Sequence, residues 1–190
     1  MNIFTLILSY LIGSISFALL VGKMFFKKDI RNYGSGNLGA TNAYRVLGIK
    51  TGVVVAIADI LKGTLACFLP LILNSTVNPI LCGLLAILGH IFSVFASFKG
   101  GKAVATATGV FLYLTPIGVC IGFIVFVLTL LFSKYVSLSS MVASIALFIY
   151  SLIFEDKVII ALSLLISVSI IILHRQNLKR ILNGTENKIF

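Results

Sequence analysis

The residues of this chain that could do chemistry are glycines set beside cations and small polar side chains, and they fall in three patches. The first is Gly34-Ser35-Gly36-Asn37-Leu38-Gly39-Ala40-Thr41-Asn42 followed by Arg45, the second Lys99-Gly100-Gly101-Lys102, the third His174-Arg175-Gln176-Asn177. Glycine lets backbone N–H groups come close to an anion, and lysine or arginine supplies the opposite charge, so each patch is suited to phosphate. In the first, Arg45 offers a planar fork for two phosphate oxygens and Ser35 and Thr41 offer hydroxyls. Gly36, Asn37, Gly39 and Asn42 complete a cradle of small donors. A flexible turn is the plainer alternative, but a turn does not need so long a run in which Leu38 is the one long apolar side chain.

The second patch is not a nucleotide-binding P-loop. Aligning that motif on Gly101-Lys102 leaves Ala96 where its first glycine belongs and Ala103 where its hydroxyl belongs. Gly100 and Gly101 are still expected to offer N–H groups to an anion ahead of a helix starting near Ala103, with Lys102 adding charge. In the third patch, His174 and Asn177 are spaced to share a helix face, whereas Arg175 and Lys179 point elsewhere and suit lipid headgroups. His90 lies alone inside an apolar stretch, where it is either functional or a neutral imidazole bonded between helices. Asp59 and Lys62 can neutralise one another on one helix face. No Gly-x-Ser-x-Gly, His-Glu-x-x-His or His-x4-Asp pattern occurs, so the chemistry must run on positioning and charge. No metal-ligand cluster is apparent, and neither a metal nor another cofactor is expected.

The elements that must position these patches are membrane helices. The chain has 190 residues, 59% of them apolar and 11% charged, with a mean hydropathy of +1.16. That excludes an ordinary soluble domain, and long runs of Leu, Ile, Val and Phe favour helices over a β-barrel. We expect an all-α fold, a polytopic helical bundle forming one domain over 1–190. Cys67, Cys82 and Cys120 lie in apolar runs and read as small buried hydrophobes. Ile3–Met24 lacks the basic leader and cleavage site of a secretory signal and reads as a retained first helix.

Further spans are expected at Gly52–Leu73, Pro79–Phe98, Leu138–Phe154 and Val158–Leu173. The stretch from Ala103 to Phe132 is too long for one span, at about 45 Å against a hydrocarbon core of about 30 Å. Thr115-Pro116 near its middle predicts a break. With the break counted, seven spans put every lysine and arginine except Lys62 and Lys157 on one side. Six spans would send Lys134 and the basic tail outward, against the positive-inside tendency. Seven is therefore expected, with the N-terminus outside and the C-terminus in the cytoplasm, and this places all three patches on the cytoplasmic side. The net charge of +10 fits orientation and attraction to anionic membrane lipids. Nucleic acid is not expected, because the basic residues lie scattered on short loops without an aromatic platform.

With these residues the chain resembles the bacterial acyl-phosphate:glycerol-3-phosphate acyltransferase family. The resemblance rests on Ser-Gly-Asn-x-Gly-Ala-Thr-Asn at 35–42 with Arg45, on Gly89-His90 leading to Phe-x-Gly-Gly-Lys-x-Val-Ala-Thr at 98–106, and on His174-x-x-Asn177 with Arg180, Gly184 and Glu186. It covers essentially the whole chain, departing at Ala103, where many members have glycine. It implies transfer of a fatty acyl group from acyl phosphate to the 1-hydroxyl of glycerol 3-phosphate, in a bacterial inner membrane with the site facing the cytoplasm. It further implies that Ser35, Arg45, Lys102, His174 and Asn177 bind glycerol 3-phosphate, and that Gly36, Asn37, Gly39, Thr41 and Asn42 cradle the acyl phosphate. Ser140 is a weaker candidate, since Ser137 and Ser139 compete with it, and Glu186 is expected to hold the tail. We expect a monomer. The alternative function is a transporter or exchanger of a small phosphorylated metabolite, but no internal repeat supports it and the outer half carries no charged pathway.

Overall fold

The computed structural model describes residues 1–190 as ten α-helices and two 3₁₀ turns, without strands. It forms two compact units, Met1–Tyr113 and Leu114–Phe190. Large apolar side chains such as Ile57, Leu61, Phe123, Leu128 and Leu165 are exposed on the helices. A helix wall of that kind belongs against lipid, so the chain is an integral membrane protein.

In the first unit the leading apolar run is not one helix. It divides into α1 (Asn2–Ser14) and α2 (Phe17–Phe26), bent by 51°, with Ser16 capping α2 through a bond from the Leu19 N–H. The break strands carbonyls at the end of α1 in an apolar interior, and each needs a donor. Ser93 Oγ donates to the Ser14 carbonyl at 2.5 Å and Lys62 Nζ to the Ile15 carbonyl at 2.6 Å. Lys62 lies on α4 (Ile49–Ile72), with its ammonium 2.7 Å from Asp59 Oδ1. Both side chains are buried, so the pair is neutralised locally, as the sequence analysis expects. Between α2 and α4 sit a loop and α3 (Ala40–Leu47). Leu38, Ala43 and Leu47 pack there against Ala18 and Leu19 of α2, Val55 of α4 and Ala96.

The run Pro79–Phe98 is helical over α5 (Pro79–Ile91), which starts with proline at its first turn and Asn78 as its cap. A Val94–Ala96 3₁₀ turn and a loop follow, and α6 (Val104–Leu114) completes the unit. α1 and α5 approach backbone to backbone, because a Cβ at Gly13 would lie 2.1 Å from the Ala86 carbonyl and one at Gly89 2.3 Å from that of Tyr10. This is the small-residue packing that joins helices in lipid. α4 and α6 meet likewise, with Thr64 Oγ1 donating to the Gly109 carbonyl at 2.7 Å.

The second unit holds α7 (Pro116–Ser133), α8 (Val136–Phe154), α9 (Lys157–Leu173) and α10 (Arg175–Leu182). The expected break falls at Thr115, with Pro116 opening α7. Thr115 Oγ1 donates to Glu155, which ties the start of α7 to the end of α8. Asp156 caps α9, and Ser167 Oγ donates to the Ser144 carbonyl between α9 and α8 at 2.7 Å. α9 and α10 bend by 54° at His174. Cys67 and Cys82 are buried as expected, whereas Cys120 is exposed on α7.

Four helices are long and apolar enough to cross a membrane alone, and the two bent pairs raise the number to six. The seventh expected span would be α6, whose 11 residues reach only about 16 Å. Stretch 103–132, too long for one span and too short for two full ones, divides at the expected break into a half-length and a full-length helix. We expect Gly13→Ala to force α1 from α5 and cost about 1–3 kcal/mol, read as a lower melting temperature in detergent; unchanged melting would refute the close approach.

Candidate active site

In the first unit, the loop before α3 is shaped by Asn42. Its side-chain oxygen accepts from the Ser35 N–H at 2.9 Å, and its amide nitrogen donates to the carbonyls of Ile30 and Tyr33, both at 3.2 Å. Asn42 is 1% exposed, so its amide is spent on the loop and leaves anion contact to its neighbours. Gly34, at φ +61°, turns the chain where a Cβ would meet Asn42 Oδ1. Arg31 is taken by Asp29, donating from Nε at 2.9 Å and from a terminal nitrogen at 2.6 Å. These bonds, opposed by burial and helped by the Arg31 and Lys23 charges, hold the Asp29 carboxyl well below the usual carboxylate range. Ser35 is exposed, Asn37, Gly39, Thr41 and Arg45 are half-buried, and Leu38 is the buried anchor. Thr41 and Arg45 are four residues apart on α3 and share a face. Gly39 caps α3 without a side-chain bond, so no side chain of the cap closes its first turn.

The second patch corrects one expectation. Gly100 N–H donates to the Ile91 carbonyl at 3.0 Å and Gly101 N–H to the His90 carbonyl at 3.1 Å. Those two groups bind the end of α5 and are not offered to an anion. The glycines are needed instead for proximity: a Cβ at Gly100 would overlap the His90 carbonyl, and one at Gly101 would lie 2.3 Å from His90 Nε2 and 3.0 Å from the Leu38 carbonyl. Gly101 is therefore enclosed between the first patch and His90, and the two patches are neighbours within this unit. Lys102 follows, half-buried, and Ala103 takes a left-handed φ of +56° before α6 begins. His90 is buried, with Nδ1 3.1 Å from Thr106 Oγ1 and 3.7 Å from Asp59 Oδ1.

In the second unit, His174 sits at the bend between α9 and α10, its Nδ1 2.8 Å from the Ile170 carbonyl. A carbonyl only accepts, so Nδ1 carries the proton, and a neutral ring then keeps Nε2 as its acceptor. Asn177 Nδ2 donates to Glu186 Oε1 at 2.6 Å and Arg180 Nε to Glu186 Oε2 at 2.6 Å. Ser137 Oγ donates to Glu186 Oε1 at 3.0 Å. Ser137 is thus the serine tied to the third motif, while the Ser140 and Ser139 hydroxyls donate to the Val136 and Tyr135 carbonyls of their own helix. Burial pushes the Glu186 carboxyl up, but the bonds from Asn177, Arg180 and Ser137 outweigh it and hold it below its ordinary value. Beyond Glu186, the Ile189 N–H donates to the Lys134 carbonyl at 2.9 Å. Lys134 stands over the Phe190 ring and Lys188 over that of Tyr135.

Residues 3–184 match the family model described as glycerol-3-phosphate acyltransferase. The chain is 88% identical over 189 residues to glycerol-3-phosphate acyltransferase 2 of Bacillus anthracis, covering 100% of both chains. It is 50% identical over 184 residues to glycerol-3-phosphate acyltransferase of Bacillus subtilis (strain 168), covering 97% of this chain and 95% of the relative. Among solved structures it resembles PlsY, an integral membrane glycerol 3-phosphate acyltransferase, in its glycerol 3-phosphate form. That likeness has a TM-score of 0.91 and 37% identity over 99% of this chain and 95% of the other. The lysophosphatidic acid form of PlsY matches with a TM-score of 0.87 over the same shares.

The lowered carboxyl of Glu186 has a definite pH sign. Its contribution is complete above the ordinary value of 4.5 and is lost as pH falls through the lowered value. Glu186→Gln should therefore lower the melting temperature at pH 7, with the gap to the unsubstituted protein closing as the pH drops below that range. A gap independent of pH would show that the carboxylate charge is not what holds the tail.

Proposed function

The chain belongs to the glycerol-3-phosphate acyltransferase family, and we propose that it takes its acyl group from an acyl phosphate and delivers it to the 1-hydroxyl of glycerol 3-phosphate. Acyl transfer to glycerol 3-phosphate is the activity of this enzyme, an early step in making phospholipid. In the proposed reaction, the hydroxyl oxygen attacks the acyl carbonyl carbon, the carbon–oxygen bond to phosphate breaks, and 1-acylglycerol 3-phosphate and inorganic phosphate leave. A mixed anhydride is already activated, so the protein's part is to hold two anionic reactants in line and stabilise the developing charge. The hydroxyl proton passes to an oxygen of the departing phosphate, and no side-chain base is required.

In this reading Ser35, Arg45, Lys102, His174 and Asn177 bind glycerol 3-phosphate. Gly36, Asn37, Gly39 and Thr41 cradle the acyl phosphate, and Asn42 holds that cradle in shape. One observation supports it: Gly101 sits between the Leu38 carbonyl and the His90 ring, so the loop before α3 lies against the turn that precedes Lys102. The chain is read as one domain over 1–190 and as a monomer. We further propose seven crossings, counting the half-length α6, in a bacterial inner membrane, with the N-terminus outside and the site in the cytoplasm among membrane lipids. The supporting feature is that Lys62 and Lys157 are the only cations this arrangement leaves off the inner face.

Purified enzyme in detergent, given acyl phosphate and glycerol 3-phosphate, should release inorganic phosphate only when both are present. Lys102→Ala and Arg45→Ala should each lower turnover at least about a hundredfold with melting unchanged; full activity in either would refute the assignment. If His174→Ala instead removes a limb of the pH–rate profile without weakening glycerol 3-phosphate binding, histidine is the base. For the topology, a cysteine placed at Thr76 should react with an impermeant thiol reagent on intact cells and one at Lys188 should not; the reverse pattern would invert the orientation.

A further inference from the structure

Lys102 follows the Gly100–Gly101 turn, and its position depends on what fixes that turn. His90 is the residue in contact with that turn on two sides. Its carbonyl accepts the Gly101 N–H at 3.1 Å, and its Nε2 edge lies so close to Gly101 that a Cβ there would be 2.3 Å away. The ring is itself held from the far side, with Nδ1 3.1 Å from Thr106 Oγ1 and 3.7 Å from Asp59 Oδ1. Asp59 in turn faces the Lys62 ammonium at 2.7 Å, and Lys62 is anchored on the Ile15 carbonyl at the break of the first span. All four side chains are buried.

We propose that His90, held by Thr106 and the Asp59–Lys62 pair, is a positioning residue that fixes the Gly100–Gly101 turn and so sets where Lys102 meets the phosphate of glycerol 3-phosphate. The proposal rests on the assignment of Lys102 to that substrate. A buried imidazole is well suited to the task, because its flat rigid ring cannot re-pack as an apolar chain would, and two of its edges are engaged at once. The loop from Phe92 to Ala103 needs such support. Ser97, Phe98 and Ala103 all have left-handed backbones without being glycine, so local preference alone would not produce this course. Thr106 adds a second constraint, since it lies on the first turns of α6, directly after the lysine that it helps to place.

The test is steady-state kinetics on the purified full chain with acyl phosphate as donor. Thr106→Val keeps the shape of the side chain and removes the hydroxyl beside Nδ1, and Thr106→Ser keeps the hydroxyl. The valine variant should raise KM for glycerol 3-phosphate about tenfold with kcat and donor KM within about twofold, and the serine variant should stay near the unsubstituted values. His90→Asn, which removes the ring edge against Gly101, should raise the same KM and serves if the valine variant accumulates poorly. A purely structural role would lower the yield and melting of folded enzyme without moving this KM. An unchanged KM in Thr106→Val and His90→Asn, with Lys102→Ala still impaired, would overturn the positioning role alone; unchanged activity in Lys102→Ala would overturn the assignment and this inference with it.

Discussion

A carbonyl without a donor cannot be left inside a membrane, and the first unit is arranged around two that a break in its leading helix sets free. Water would satisfy such groups on a soluble protein, but hydrocarbon cannot. The donors here are Ser93 Oγ on Ser14 and Lys62 Nζ on Ile15. Each imposes something further. Lys62 brings a charge into the interior, which obliges Asp59 to accompany it. Ser93 pulls the chain after α5 towards α1, and Tyr10 reinforces that by donating from its hydroxyl to the Phe92 carbonyl at 2.6 Å. The result is that the segment leading to Lys102 hangs from the end of α1. A bend in one helix thereby fixes a loop some eighty residues further along the chain.

The second unit meets a related demand with a carboxylate. At the bend between α9 and α10, His174 returns its Nδ1 to a carbonyl of the helix it ends. The segment beyond is then gathered by Glu186, whose two oxygens take Ser137, Asn177 and Arg180. Bonds to an ionised acceptor are stronger than neutral ones, so one side chain orders α8, α10 and the tail together. The amide of Asn177 is thereby oriented by a residue nine positions further on. Reciprocal stacking of Lys134 on Phe190 and Lys188 on Tyr135 closes the tail over the α7–α8 turn.

What was legible in the sequence follows the range over which each signal acts. Apolar run length and Thr115-Pro116 are local, and they gave the helical membrane class and the break before α7. The glycine–cation patches are local too, so their chemistry could be read from residue types alone. Three things depended on partners distant in sequence. The division of Ile3–Met24 into α1 and α2 has no proline to announce it, and the donors that satisfy its freed carbonyls, Lys62 and Ser93, lie far along the chain. The pairing of the Gly100 and Gly101 N–H groups depends on the carbonyls of His90 and Ile91, which no spacing rule reveals. The choice of Ser137 over Ser140 depends on where Glu186 arrives. The start of α6 near Ala103 and its end before Thr115-Pro116 were, by contrast, legible, since glycine, lysine and proline bound it locally.

Ala103 shows why the turn before α6 must be governed from outside itself. An alanine at φ +56° costs about 1–2 kcal/mol relative to a right-handed conformation, and a glycine there would relieve it. The methyl is buried at 3% exposure, and its contact with the interior offsets about half or more of that cost at roughly 0.8 kcal/mol per buried carbon. The remaining cost is met from outside, because the Gly101 N–H is fixed on the His90 carbonyl on one side and the first turn of α6 follows on the other. Such over-determination is useful for a cation that must meet a phosphate in one place. A lysine on a turn with its own soft preferences would be ordered only as the phosphate arrives, at an entropic cost to binding; one on a turn held at both ends meets the phosphate without that cost.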